Sequence, residues 1–259
     1  MEKIFYILLI FLLLLSNLYT LNKYMKYKLR IKIIRKNKQI YKLPKCNFSE
    51  IDDIFAEMHT PLHISSSIIS FIGKGDEMVE ICDTSSWVLS VLSKKSFNIF
   101  EFGTYRGKTT YLMAKNSSKD TKIITITLPK NQIDTYKFEE GDNPKETENA
   151  INESLYESFS YISNLEEKKI EQIYQDSKLF DESKYLDYFD LVFIDGSHTY
   201  SYVSSDTEKS LKMIKKGGII IWNNYIEDSD VFKYLNHIKK EKNINLKQIP
   251  NTALVFYKH

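Results

Sequence analysis

Three regimes of apolar and polar positions divide the chain. Ile4 to Asn22 carries no charge and includes the run IFYILLIFLLLL. From Phe48 to Ser93, apolar residues recur at helical spacing in IDDIFAEM, SSSIISFI and WVLSVL, and Gly73-Lys74-Gly75-Asp76 breaks the pattern as a loop. Beyond Ser96, short runs that are apolar on both faces alternate with amphipathic stretches. A run such as Leu191-Val192-Phe193-Ile194 suits the interior of a parallel sheet covered by helices.

This alternation predicts strands at 97–102, 122–127, 170–174, 188–194 and 218–222, with a helix opening at Lys108. Two further strands, near 244–249 and 252–257, are separated by only Pro250-Asn251. That spacing makes a hairpin, so the last strand runs antiparallel in an otherwise parallel sheet. The expected class is α/β. Between Asn131 and Glu167 lies a polar, acidic insertion with helical pieces, read either as a cap over a ligand mouth or as a solvated excursion.

At 259 residues, 42% of them apolar, the chain can bury one sizeable core. Its net charge of +2 hides an asymmetry. Up to Lys45 there are 11 Lys or Arg and one acid, which leaves 25 basic against 33 acidic residues, a net of −8, in the body. An acidic body argues against a nucleic-acid partner, which would need a basic face. Cys46 and Cys82 lack CxxC spacing and read as reduced thiols of a cytosolic domain, with a single disulfide left open.

The uncharged span is roughly long enough to cross a ~30 Å hydrocarbon core. A cleaved signal peptide would want a basic start and small residues at the cleavage site, and Ser16-Asn17-Leu18-Tyr19 is a poor substitute for Ala-x-Ala. One Lys precedes the span and eight Lys or Arg lie between Lys23 and Lys38, which orients the body to the cytoplasmic side. The expected organisation is a single-pass anchor at 1–22, a basic juxtamembrane linker at 23–48 and a catalytic domain at 49–259 with a helical lead-in over 49–94.

Candidate chemistry gathers at strand ends, where ligands bind in such sheets. Glu101-Phe102-Gly103-Thr104-Tyr105-Arg106-Gly107 follows the first strand and opens a helix. Gly103 permits a sharp turn, Gly107 a close approach, and the helix amino terminus offers free N–H groups. The loop is neither a dinucleotide fingerprint nor a phosphate loop, since Gly103 stands four residues before Gly107-Lys108-Thr109 rather than five. Glu101 would repel a phosphate and attract an ammonium group, as an amino-acid-like cofactor carries. After the fourth strand come Asp195, Gly196, Ser197 and His198, and after the fifth Asn223-Asn224.

With these motifs in order, together with Gln175-Asp176-Ser177 and the ending Asn251-Thr252-Ala253-Leu254, residues 95 to 258 resemble a class I S-adenosylmethionine-dependent methyltransferase. The group pairing Glu-Phe-Gly-Thr-Tyr-Arg-Gly with Ile-Asp-Gly-Ser-His is the nearest, and it includes macrocin-type sugar O-methyltransferases. The resemblance implies a Rossmann-like, seven-stranded sheet with the last strand reversed. It implies that Glu101, Gly103 and Thr104 hold the methionine end of S-adenosylmethionine, with Gly107 lining the same turn and Asp195 nearby. Asp176 and Ser177 would face the adenine. Thr127 stands where the family carries an acid for the ribose hydroxyls, and one hydroxyl cannot clamp a diol as a carboxylate does.

Related metal-dependent enzymes bind magnesium through Asp, Asp and Asn, against Asp195, Asn223 and Asn224 here, a candidate but weakened site. His198 stands where catechol enzymes carry a lysine base, and an imidazole suits removal of a hydroxyl proton. Asp206 and Glu208 read as a solvated helix face, and Trp222 and Tyr225 as packing that could also line an acceptor pocket. His59, His63, His237 and His259 show no partnering pattern. The expected reaction is methyl transfer to oxygen on a hydroxylated small molecule or glycan, with His198 as base and Asp195 orienting it. A second reading, motivated by Thr127 and the two asparagines, is a membrane-anchored inactive binding protein. A nucleotide-dependent oxidoreductase is disfavoured by Glu101 and by the glycine spacing.

Overall fold

β-branched and aromatic residues dominate the runs Asn98–Phe102 (β1), Lys122–Thr127 (β2), Ile170–Tyr174 (β3), Phe189–Ile194 (β4) and Ile214–Trp222 (β5), and all five form parallel strands. Lys247–Gln248 (β6) and Val255–Lys258 (β7) complete one seven-stranded sheet of order β3-β2-β1-β4-β5-β7-β6. The final strand is antiparallel to both its neighbours, as the Pro250-Asn251 spacing predicts. β5 begins four residues earlier than expected, at Ile214, and its pairing with β4 shifts register between Phe189 and Leu191. Gly217, at φ +80°, takes up that irregularity.

The computed structural model describes residues 17–26, 28, 42–57 and 83–259. The chain divides into two units, Met1–Lys42 and Leu43–His259. In the first, residues 17–26 are helical. Most of the expected membrane span lies outside the described residues, as do Cys82, His59, His63 and most of the helical lead-in. Among the described residues, no helix is long and apolar enough to cross a membrane.

The sheet is buried on both faces because successive side chains point to opposite sides. On one face Phe100, Phe102, Val192 and Ile220 meet Val203 and Met213 of Tyr200–Met213 (α4, numbering the long helices described from Asp83 onward) and Leu235 of Asp230–Glu241 (α5). On the other, Ile99, Ile123, Phe193 and Ile221 meet Leu89 and Leu92 of Asp83–Lys95 (α1) and Leu112 of Lys108–Asn116 (α2). Cys46, a free thiol, is buried in this second cluster, and burial pushes its pKa up to about 11. The insertion holds 3-10 turns at Lys130–Thr135 and Leu165–Lys169 and one true helix, Pro144–Glu153 (α3).

Candidate active site

The ladder continues one residue past the central strands. Gly103 N–H donates to Ile126 O at 2.9 Å, Asp195 N–H to Phe102 O at 2.8 Å and Asn223 N–H to Ile194 O at 3.0 Å. The three loops therefore leave the carboxyl edge side by side, and Gly103 and Asp195 line the same two cavities. The first cavity runs from Gly103 and Asp195 past Thr127 to Asp176, Ser177 and Tyr202, beneath Tyr136, Ala150 and Glu153 of the insertion. The second, about 240 Å³, holds His198, Asn223, Asn224 and Lys108. The insertion thus roofs the mouth. Asp142 pins one end of it, accepting from the Ser201 backbone and hydroxyl at 2.8 and 2.7 Å. Ser160 N–H donates to Arg106 O at 2.8 Å at the other end.

Several residues lie elsewhere than the motif implies. Glu101 is only 1% exposed and lines neither cavity. It occupies the strand parity that faces α2, where its Oε2 accepts from the hydroxyls of Thr110 and, at 2.7 Å, Thr125. Burial pushes its pKa up to about 8 despite those donors. Thr104 joins the same cage through Thr125 Oγ1 at 2.7 Å and also borders the second cavity. Gly107 lies against Phe159 and Tyr161, outside both cavities. Trp222 is core, its indole donating to Thr207 at 2.8 Å, and the buried Tyr225 hydroxyl accepts from Leu43 N–H at 3.0 Å.

Asp176 caps the turn that follows β3. Its Oδ1 accepts from Lys178 N–H at 2.9 Å and its Oδ2 from the Tyr202 hydroxyl at 2.9 Å. Lys209 fixes the same turn by donating to the carbonyls of Ser177, Lys178 and Phe180 at 2.6, 2.9 and 2.7 Å. Asp206, one helical turn earlier on α4, is not on a solvated face. It is 1% exposed and lines the first cavity. Glu146, Glu153, Tyr136 and Tyr202 also reach the site, and their only sequence signal is membership of the insertion or of the buried face of α4.

His198 sits between two carboxylates. Its Nε2 is 3.3 Å from Asp195 Oδ1 and its Nδ1 is 3.7 Å from Glu146 Oε2 on α3. Burial disfavours the imidazolium, but Asp195 and Glu146 outweigh it and push the pKa up to about 10. His198 therefore carries a proton at neutral pH in this arrangement. The Asn224 amide reaches both ring nitrogens, at 3.0 and 3.1 Å, and for a doubly protonated ring the amide oxygen is the atom that fits there.

Asn223 Nδ2 donates to Asp195 Oδ1 at 2.9 Å. One carboxylate already bonded to an amide and an imidazolium makes a poor magnesium site, since that ion wants anionic oxygens and water. Among the described residues, no group of three His, Cys, Asp or Glu side chains stands where it could hold a metal ion. The first cavity fits a cation instead. Asp195, Glu153, Asp176 and Asp206 line it with no Lys or Arg. That lining opposes a phosphate-bearing nucleotide and suits the sulfonium and ammonium charges of S-adenosylmethionine.

A family model described as "Methyltransferase domain" matches residues 100–225, from β1 to just past β5. No curated protein matches the chain. Solved structures similar to it include a candidate caffeoyl-CoA O-methyltransferase from Staphylococcus aureus, 15% identical, covering 89% of this chain and 100% of that one at a TM-score of 0.48. Another is the O-methyltransferase TomG from Streptomyces achromogenes, 12% identical, with coverage of 83% and 91% and a TM-score of 0.44. A third is a candidate O-methyltransferase from Klebsiella pneumoniae, 13% identical, with coverage of 72% and 83% and a TM-score of 0.45. Residues 100–225 thus match a methyltransferase domain, and the sheet order and the acidic cavity agree with an S-adenosylmethionine-dependent methyltransferase.

Proposed function

We propose that the chain methylates a hydroxyl oxygen of a small molecule or glycan seated in the second cavity. The observation that carries this reading is the Glu146–His198–Asp195 array, of which His198 and Asp195 border the cavity that Gly103 also lines. S-adenosylmethionine supplies an electrophilic methyl group when bound. The chain's part is to align the acceptor and to take its proton. An acceptor entering beside His198 displaces the Glu146 carboxylate, which lowers the imidazole pKa and frees Nδ1 to accept the hydroxyl proton. Asp195 holds the ring from the Nε2 side and stabilises the imidazolium so formed. Oxygen acceptors are favoured because the array is built to remove a proton, which a sulfur or amine nucleophile needs less. The resemblance to macrocin-type enzymes makes a sugar hydroxyl the first acceptor to try.

Titration calorimetry with S-adenosylmethionine tests the cofactor half of this reading. Micromolar to millimolar binding is expected, and no heat at millimolar ligand would defeat it. Transfer of a labelled methyl group to hydroxyl compounds tests the acceptor half.

The amino-terminal span Ile4–Asn22 is proposed as a tether that holds the domain at the cytoplasmic face of a membrane. The full chain is then expected to sediment with membranes and to be released by detergent but not by alkaline carbonate. Release by carbonate alone would rule the tether out.

A further inference from the structure

A third cavity opens at the carboxyl edge beside β3, the edge strand of the sheet. It measures about 650 Å³, within the roughly 300–1,000 Å³ of pockets that hold small ligands. Thr127 and Tyr174, register partners at the ends of β2 and β3, both line it, and Gln175 N–H ties the two strands there by donating to Thr127 O at 2.9 Å. One wall is the 3-10 turn Lys130–Thr135, and another is the segment after α3 that carries Tyr156 and Glu157. The cavity shares Thr127 and Ser154 with the first cavity and no residue with the second. Tyr105 lines the second cavity and Tyr156 the third, and their rings meet edge to face with centroids 4.7 Å apart. These two side chains form a ridge between the third cavity and the one that holds His198. The Arg106 guanidinium braces it, 5.2 and 4.8 Å from the two ring centroids, and donates to the Tyr156 hydroxyl at 2.7 Å.

The lining mixes rings with uncommitted polar groups. Tyr156 is 39% exposed and Tyr174 53%. Among the described residues, the side chains of Asn131, Gln132 and Glu157 bond to no other group, although Gln132 is half-buried. Lys130 and Glu157, the charged members of the lining, cancel. An anion would face Glu157 and a cation Lys130, while an apolar ligand would strip water from the amides and return nothing. A neutral ring whose hydroxyls both donate and accept meets all of these groups. The C–H face of a sugar ring also suits the negative face of a tyrosine.

Resting on the acceptor reading above for its link to catalysis, we propose that the third cavity holds a neutral sugar residue next to the one whose hydroxyl is methylated. The acceptor is then a glycan of two or more residues that crosses the Tyr105–Tyr156 ridge.

Saturation-transfer NMR titration reads the cavity without turnover. The full chain, in a detergent without a sugar headgroup, is titrated with glucose, galactose, mannose, rhamnose and N-acetylglucosamine and with a disaccharide of each. At least one disaccharide is expected to bind at millimolar concentration or below. Tyr174→Ala should weaken it at least about 10-fold, the scale of a lost ring contact, and Gln132→Ala about 3- to 10-fold, the scale of one hydrogen bond. Neither residue lines the first cavity, so both variants should bind S-adenosylhomocysteine as wild type does. No sugar binding, sugar binding that both variants leave unchanged, or a loss of S-adenosylhomocysteine affinity in Tyr174→Ala overturns the assignment. Should Tyr174→Ala melt below wild type, Gln132→Ala alone decides. Transfer of a labelled methyl group to the bound disaccharide tests the link to catalysis. In Tyr174→Ala its KM should rise at least about 10-fold at unchanged kcat, and an unchanged KM breaks the link. If no disaccharide accepts a methyl group, the acceptor reading falls instead, and the binding titration still judges the cavity.

Discussion

Gly103→Ala is expected to abolish cofactor binding and to lower the melting temperature by roughly 10 °C. Gly103 has φ +95°, outside the range that L side chains favour. A Cβ there would stand 2.1 Å from Asp195 O, 2.6 Å from Asp195 C and 2.6 Å from Gly196 Cα. These are backbone atoms of the neighbouring strand tip, so no rotamer change relieves the overlap. Relief requires the ends of β1 and β4 to part, which breaks the hydrogen bond from Asp195 N–H to Phe102 O. Strain of about 1–3 kcal/mol and overpacking of about 1–3 kcal/mol together give roughly 4 kcal/mol. For a body of this size each kcal/mol is worth about 2–4 °C. At Gly107, φ +69°, the added Cβ would stand 2.8 Å from Phe159 Cβ and from Tyr161 Cε1, so Gly107→Ala is also costly, but it displaces the insertion and not the strand tips. Scanning calorimetry of the two variants decides the matter. A Gly103→Ala protein that melts with wild type would show that the strand tips do not meet as described.

The second large effect concerns proton removal. His198→Ala is expected to lower kcat by about 10²–10⁴, the usual worth of a positioned base. The pH profile separates that role from packing. With the His198 pKa held at about 10, kcat/KM should climb with unit slope from pH 6 toward pH 10. Glu146→Gln removes one of the two raising carboxylates, so its limb should move to lower pH and its neutral-pH kcat/KM should rise. If the acceptor displaces Glu146, the wild-type kcat limb lies below the kcat/KM limb, and in Glu146→Gln the two converge. A kcat/KM limb that stays in place in Glu146→Gln would remove Glu146 from the mechanism. Stability follows the same titration with opposite consequence. The folded pKa lies above the ordinary value near 6.5, so the His198 contribution is complete below pH 6.5 and is lost as pH rises toward 10.

The sheet was legible because its signals are local. Apolar runs of strand length, the Pro250-Asn251 hairpin and the glycine loop each depend on a few adjacent residues, and the five parallel strands came out within four residues of their expected starts. Side-chain assignment depended on parity and on distant partners, which are harder to read. Glu101 borders a ligand loop in sequence, yet the strand turns it toward Thr110. Asp206 looked solvated by composition, although Tyr202, Asp206 and Met213 recur at spacings of four and seven along one buried face of α4. Glu146 stands 52 residues from His198 in sequence, inside a polar insertion with no motif, so only the folded chain brings them together.

The insertion also bears on timing. The cofactor cavity beneath α3 measures about 60 Å³, far below the roughly 300–1,000 Å³ of pockets that hold drug-sized ligands. A nucleoside thioether cannot slip into such a space while α3 is seated. Its arrival must wait on a lift of that helix between its tethers at Asp142 and Ser160, which makes entry a gated step slower than simple encounter. The same gate slows departure of the spent nucleoside, so cofactor exchange depends on the swing of one ten-residue helix.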